Sequence, residues 1–80
     1  MMEIEVRLFA TLRKFLPAGS GAYSTRVSVE EGEQVRDVLT RLGLPMDRPV
    51  VLVRNGIQCA PDAQVQDGDV LSVFPPLGGG

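Results

Sequence analysis

Several residue types that build active sites are missing or nearly missing from this sequence. Among its 80 residues there is no histidine and a single cysteine, Cys59. Without histidine, the commonest general acid or base of enzymes is unavailable. A lone cysteine cannot form an internal disulfide, and it cannot supply the several ligands of a zinc site or an iron–sulfur cluster. We therefore expect no bound metal and no disulfide-stabilised scaffold.

Positive charge is also scarce. The chain has 8 basic and 10 acidic residues, a formal net charge of −2, and the basic residues are scattered. Binding to nucleic acid or to an anionic membrane requires a basic face or stripe. We expect neither among the partners of this protein.

Long apolar segments are absent as well. No stretch approaches the ~20 apolar residues of a membrane span, and residues 1–5 lack the basic and apolar regions of a secretory signal. These features predict a cytoplasmic protein. A chain of 80 residues is long enough for one domain with a modest core.

What the sequence does contain is regular hydrophobic periodicity. Apolar and polar residues alternate over 3–9 and again over 23–29, which predicts two paired strands. Residues 10–16, between them, have helical spacing for only a turn or two. Over 34–42 the apolar residues fall on one helical face, and Gly43 predicts the end of that helix.

Three further strands are predicted in the second half. The continuous apolar run at 50–53 predicts a well-buried strand, and Asn55-Gly56 predicts a tight turn into a short strand at 57–58. The last strand is predicted at 70–74. One helix can cover one face of a mixed sheet of four to five strands. The order therefore predicts an α+β, ubiquitin-like β-grasp domain, with the last strand beside the first.

The segment after the last predicted strand is unusual. It consists of two prolines, Leu77 and three glycines. Prolines favour an extended, stiff exit from the domain, whereas glycine has no side chain and few backbone restrictions. We predict a flexible tail over 75–80, suited to enter a narrow channel of an enzyme. A disordered terminus without function, or glycines left from cloning, is the competing interpretation.

Such a tail has one reactive group, the carboxyl of Gly80. Joining this carboxyl to AMP from ATP would give a mixed anhydride with a good leaving group. A sulfur nucleophile could then attack the carbonyl carbon and leave a thiocarboxylate. No side chain of this protein is needed for either step, which agrees with the absence of histidine.

Two other features have simpler interpretations. Asp67 and Asp69 around Gly68 could suggest a pair of calcium ligands, but a calcium loop needs more oxygens, and a plain turn is favoured. Cys59 could be a reactive thiol or a sulfur relay. A partly buried cysteine that acts as a small hydrophobic residue is favoured instead.

Residues 67–80 combine an Asp-Gly-Asp turn, a hydrophobic strand, two prolines and terminal glycines. This combination resembles the closing signature of the MoaD/ThiS family, the molybdopterin synthase small subunits and the thiamine-biosynthesis sulfur carriers. Residues 6–13 resemble the first strand and turn of that family, and 35–44 resemble its helix. The resemblance covers essentially the whole chain.

The resemblance implies a carrier protein rather than an enzyme. Gly80 would be adenylated by a ubiquitin-activating-type enzyme, which uses ATP, and would then be converted to a thiocarboxylate. Sulfur would pass to an acceptor such as the molybdopterin synthase large subunit, and the carrier itself would bind no cofactor. The residues that thread or position the tail would be Gly79, Gly78, Leu77, Pro76, Pro75 and Phe74.

The branch of the family is left open by the sequence. The double proline and the long first loop resemble the molybdopterin branch, whereas the Asn55-Gly56 hairpin and the short link after the helix resemble the thiamine branch. Gly78 departs from both, since a small or polar residue is often found there. We favour sulfur transfer for molybdopterin. Sulfur delivery to thiamine or another metabolite, a ubiquitin-like protein modifier and a non-covalent interaction domain are the alternatives.

Overall fold

The computed structural model describes residues 2–76 of the protein. This part of the chain forms five strands, one α-helix and one 3-10 helix. In chain order they are β1 (Met2–Leu8), the 3-10 helix (Ala10–Phe15), β2 (Ser24–Val29), α1 (Val35–Arg41), β3 (Val51–Arg54), β4 (Ile57–Gln58) and β5 (Val70–Phe74). Within residues 2–76 no helix has the length and apolar character that crossing a membrane requires.

The five strands make one mixed sheet in the order β2-β1-β5-β3-β4. The two central strands, β1 and β5, are parallel, and the other neighbouring pairs are antiparallel. An N-terminal hairpin, a single helix and a last strand beside the first are the features of a ubiquitin-like β-grasp fold. The fold predicted from the sequence is therefore confirmed.

The two central strands supply the middle of the core. Their alternating pattern turns every second side chain toward the same face of the sheet. Val6 lies opposite Leu71, and Leu8 lies opposite Val73. All four side chains are completely buried. This aliphatic layer fixes the position of β5 along its whole length.

Helix α1 covers this layer with one face. It begins after Gln34, whose backbone N–H donates to the Asp37 carboxylate at 2.9 Å and so satisfies a donor that the helix leaves unpaired. It is followed by Gly43 at φ +92°, which supplies the predicted left-handed stop. The buried residues of α1 are Val35, Val38 and Leu39.

The prediction of a well-buried strand at 50–53 is wrong in one respect. Strand β3 buries Leu52, but Val51 and Val53 are only half-buried. The reason is that α1 covers one face of the sheet, while Val51 and Val53 lie opposite Phe74 and Ser72 on the other face. We call this second side of the sheet the open face.

The hairpin between β3 and β4 has the predicted turn. Both Asn55 and Gly56 have positive φ, at 53° and 84°. These values match the two-residue turn that Asn-Gly favours, because that turn requires positive φ at both central positions.

Candidate functional site: the exit of strand β5

The predicted tail leaves the domain from the centre of the sheet. Strand β5 pairs with β1 on one side and β3 on the other, and ends at Phe74. Beyond β1, the Phe9 backbone N–H donates to the Val73 carbonyl oxygen at 3.2 Å. The chain is thus paired through Phe74 on the β3 side and through Val73 on the β1 side, so the exit point is fixed.

An aromatic row marks the exit on the open face. The rings of Phe9 and Phe74 stack with centroids 4.5 Å apart and planes 7° from parallel. The Phe9 ring also stacks with the Tyr23 ring, and their centroids are 5.5 Å apart. We use "aromatic row" for Tyr23, Phe9 and Phe74. Tyr23 is 44% exposed, and the two phenylalanines are half-buried.

The sequence predicts Phe74 as a site residue, but it does not single out Phe9 or Tyr23. One signal was available for Phe9, because it continues the outward series Glu3, Glu5 and Arg7 of β1. A large apolar side chain at an outward position of a strand is a candidate for recognition rather than for the core.

The two prolines after Phe74 are described by the structure and are half-buried. Pro75 and Pro76 help to line a groove of about 350 Å³, which also runs along the 3-10 helix and the loop between α1 and β3. The remaining predicted tail residues, Leu77, Gly78, Gly79 and Gly80, lie outside the described residues. Their roles and the flexible tail at 75–80 therefore stay predictions.

The Asp-Gly-Asp turn fastens the other end of β5. The Asp69 carboxylate is buried and accepts hydrogen bonds from the Asn55 side-chain amide at 2.9 Å and from the Gln66 backbone N–H at 2.8 Å. The Asp67 carboxylate accepts from the Glu3 backbone N–H at 2.9 Å. Both aspartates are thus engaged in holding the turn. Across residues 2–76, no three histidine, cysteine, aspartate or glutamate side chains form a group that could hold a metal ion.

Cys59 is half-buried and packs against the core. Burial raises the pKa of its thiol above the ordinary value; nearby Arg54 opposes this shift and Asp69 adds to it. A reactive cysteine needs a lowered pKa, since the thiolate is the nucleophile. This environment favours the structural interpretation of Cys59 over a sulfur relay.

The fold and the exit of β5 define a ubiquitin-like protein with a glycine-rich C-terminal segment. Comparison with known proteins makes this more specific. The sequence model of the ThiS family matches residues 6–80, so the chain belongs to the ThiS family, and the resemblance found in the sequence is confirmed. The protein is a ubiquitin-like sulfur carrier or modifier. No curated protein sequence matches the chain.

Three solved structures illustrate the similarity. A putative molybdopterin converting factor, subunit 1, from Pyrococcus furiosus has 25% identity and a TM-score of 0.73, over 96% of this chain and 100% of that one. The Haloferax volcanii small archaeal modifier protein 1 has 26% identity and a TM-score of 0.76, over 96% and 100%. The Haloferax volcanii HVO 2177 protein has 31% identity and a TM-score of 0.76, over 99% and 87%.

Proposed function

We propose that the protein is a sulfur carrier in molybdopterin-type cofactor synthesis. In this proposal the carboxyl of Gly80 is adenylated by a ubiquitin-activating-type enzyme and then converted to a thiocarboxylate. The thiocarboxylate donates its sulfur in the active site of a larger acceptor subunit. ATP binds to the activating enzyme, and the carrier acts as a co-substrate rather than an enzyme.

The observation that carries this proposal is the fixed exit of β5. The strand is paired on both sides, and the Phe9 backbone N–H donates to the Val73 carbonyl oxygen near its end. Two half-buried prolines follow the strand and precede Leu77 and the glycines. A fixed strand end followed by glycines, which have no side chain, suits a tail that must be presented to another protein. Because the strand end is already ordered, less entropy is lost when the tail is bound.

The chemistry balances without a side chain of this protein. The Gly80 carboxylate attacks the α-phosphorus of ATP, and pyrophosphate leaves. Hydrosulfide, or an enzyme-held equivalent at the same oxidation level, then attacks the carbonyl carbon, and AMP leaves with the bonding electron pair. The thiocarboxylate sulfur then bonds to an electrophilic carbon of the acceptor, where it displaces a leaving group or adds across an unsaturated bond. Water cleaves the resulting thioester, so the sulfur stays on the acceptor as a thiol and Gly80 regains its carboxylate.

The aromatic row gives the partner enzymes a surface to hold. Aromatic side chains are enriched in the buried centres of protein interfaces and dominate their binding energy. The row lies on the open face beside the exit, so one partner can contact Phe74 and Phe9 while it encloses the tail. In this proposal Leu77 is a further apolar anchor at the start of the tail, and Gly78 and Gly79 thread the channel.

The molybdopterin branch is supported by two observations. The first is the similarity to the Pyrococcus furiosus protein, which is described as a putative molybdopterin converting factor subunit. The second is the double proline at the root of the tail, together with the long loop between the 3-10 helix and β2. Thiamine or another thiolated metabolite is the alternative acceptor.

A gene deletion in the source organism tests the proposal. We expect loss of molybdenum-dependent oxidoreductase activity without a thiamine requirement. Wild-type protein restores the activity, whereas a chain without Gly79 and Gly80 does not. A thiamine requirement in the deletion strain would instead assign the thiamine branch. Full rescue by the shortened chain would reject the carrier mechanism.

The modifier function is a second candidate, because the small archaeal modifier protein 1 has the same fold over nearly the whole chain. A modifier would form an isopeptide bond between Gly80 and lysines of other proteins. Arg54 is the last lysine or arginine of the sequence, so mass spectrometry of tryptic digests from cells would then find the segment 55–80 joined through Gly80 to target lysines. The absence of such conjugates, with a thiocarboxylate present, selects the carrier.

A further inference from the structure

The groove that Pro75 and Pro76 help to line has an apolar floor. Its lining includes the buried Leu44 and the half-buried Phe15 and Val50. A groove of about 350 Å³ has room for one or two side chains of another protein.

Two cations stand on the rim of this groove. Lys14 and Arg48 are both exposed and both line it, and among the described lining residues none is acidic. The Lys14 ammonium lies 5.4 Å from the centre of the Phe15 ring, a distance typical of a cation–π contact. This contact keeps the charge over the apolar floor. The groove is therefore locally positive on a protein with a net charge of −2.

The position of the groove connects it to the tail. Pro76 is the last described residue, and Leu77 follows it directly. An enzyme that encloses the tail from Leu77 onward comes close to Pro76 and therefore to the groove that Pro76 lines. The aromatic row lies on the open face, and the groove is a separate contact surface next to the same exit.

We propose that the groove receives an acidic, apolar segment of the adenylating enzyme. An apolar side chain of that segment fills the space between Phe15 and Pro76, and a carboxylate pairs with Lys14 and Arg48. This inference rests on the proposed function and adds a docking surface to it. Complementary charge at the edge of an interface mainly accelerates association and selects the correct partner.

Steady-state ATP–pyrophosphate exchange by the purified cognate adenylating enzyme tests the inference. The variable substrate is the full-length carrier, as wild type, Lys14→Glu, Arg48→Glu and the double variant. We expect the KM for the carrier to rise by about threefold for each single variant and about tenfold or more for the double variant. The kcat should stay within about twofold, because in the proposed function no side chain of the carrier takes part in the reaction of the carboxyl.

The matched control is Arg36→Glu. Arg36 is an exposed arginine near the start of α1, at the opposite end of the helix from Leu44, and its reversal changes the net charge by the same amount. We expect no change in KM for this variant. A charge-conserving variant, Lys14→Arg with Arg48→Lys, should keep the wild-type KM. Thermal melting of every variant checks that the fold is retained.

The outcomes separate this inference from the proposed function. If wild type supports exchange and the double variant has an unchanged KM, or Arg36→Glu raises KM equally, the groove is not the docking surface and the proposed function stands. If wild type supports no exchange, the proposed function and this inference are both overturned. A KM for wild type that rises with salt more steeply than that of the double variant supports the groove.

Discussion

The two faces of the sheet differ in what they are made of. On the face covered by α1, the central strands contribute only aliphatic side chains, and Val6, Leu8, Leu71 and Val73 are completely buried. On the open face β1 carries an ion pair between Glu5 and Arg7. The stacked rings of the aromatic row come from the end of β5 and from the residues directly after β1 and directly before β2. The rings lie at the end of the sheet from which the tail leaves.

This difference suggests that the covered face stabilises the fold and that the open face binds partners. Buried aliphatic area is the main source of stability in a domain of this size. Half-buried rings on an open face contribute less to folding, because part of their surface remains in water. Kept beside the exit of β5, they are available to a partner. The covered face should therefore respond to substitution mainly in stability, and the open face mainly in partner binding.

The largest expected effect on stability is at Leu71. Replacing Leu71 by alanine removes a fully buried side chain and leaves a cavity, so the free energy of unfolding should fall by about 2–5 kcal/mol. Urea denaturation followed by circular dichroism measures this change. A loss below about 1 kcal/mol would contradict the assignment of Leu71 to the core.

The turn at the start of β5 should come next. Asp69→Ala removes the acceptor for the Asn55 amide and the Gln66 N–H, so the free energy of unfolding should fall by about 1–3 kcal/mol. The KM for the adenylating enzyme should not change in the folded fraction, since this turn is at the opposite end of β5 from the exit. A raised KM with unchanged stability would show that the turn contacts the partner instead.

Phe74→Ala should affect partner binding more than stability. Removal of a half-buried ring and its stack on Phe9 should cost about 1–2 kcal/mol of stability, less than a fully buried phenylalanine. The KM in ATP–pyrophosphate exchange should rise about tenfold or more, as for an interface hot spot. Val70→Ala is the matched control, because Val70 is half-buried on the same face of β5 at its other end. An equal rise in KM for Phe74→Ala and Val70→Ala would contradict the proposal that the partner contacts the exit end of β5.

The smallest expected effect concerns Cys59. Burial raises the pKa of its thiol, so at pH 8 a smaller fraction is thiolate than in the unfolded chain. Alkylation of the native protein should be slower than alkylation in denaturant at the same pH, and the native rate should increase as the pH rises through the elevated pKa. The time course of iodoacetamide labelling, followed by intact mass, measures both rates. A native rate equal to the denatured rate would show that Cys59 is not shielded.

Most of the fold was predictable because its signals are local. The alternation in β1, the helical spacing in α1 and the Asn55-Gly56 turn each depend on a few neighbouring residues. The run at 50–53 was misjudged because apolar side chains occupy both faces of β3, so the sequence there has no alternation. Only the pairing with β5 shows that Leu52 lies on the face covered by α1 and that Val51 and Val53 lie on the open face.

The candidate site was predictable in part for the same reason. The prolines and glycines after β5 are visible in the sequence. The stack of Phe9 on Phe74 joins two residues far apart in the chain, and the groove between Phe15 and Pro76 depends on three separate segments. Neither contact has a local pattern. The stack follows from the parallel pairing of β1 with β5, and the groove also requires the pairing of β3 with β5.

The central claim is that the reactive group of this protein is the carboxyl of Gly80. The most direct measurement is the intact mass, with fragmentation, of a Cys59→Ser variant purified from its own cells. Cys59 is the only cysteine, so after its replacement a thiol-alkylating reagent reports a thiocarboxylate without interference.

The account predicts a gain of about 16 Da located at Gly80, and it predicts that the alkylating reagent modifies the thiocarboxylate there. Both signals should be absent when Gly79 and Gly80 are deleted. Methionine oxidation gives nearly the same mass, so the fragment that carries the gain decides between them. A Gly80 that remains an ordinary carboxylate while the activating enzyme is present would contradict the account.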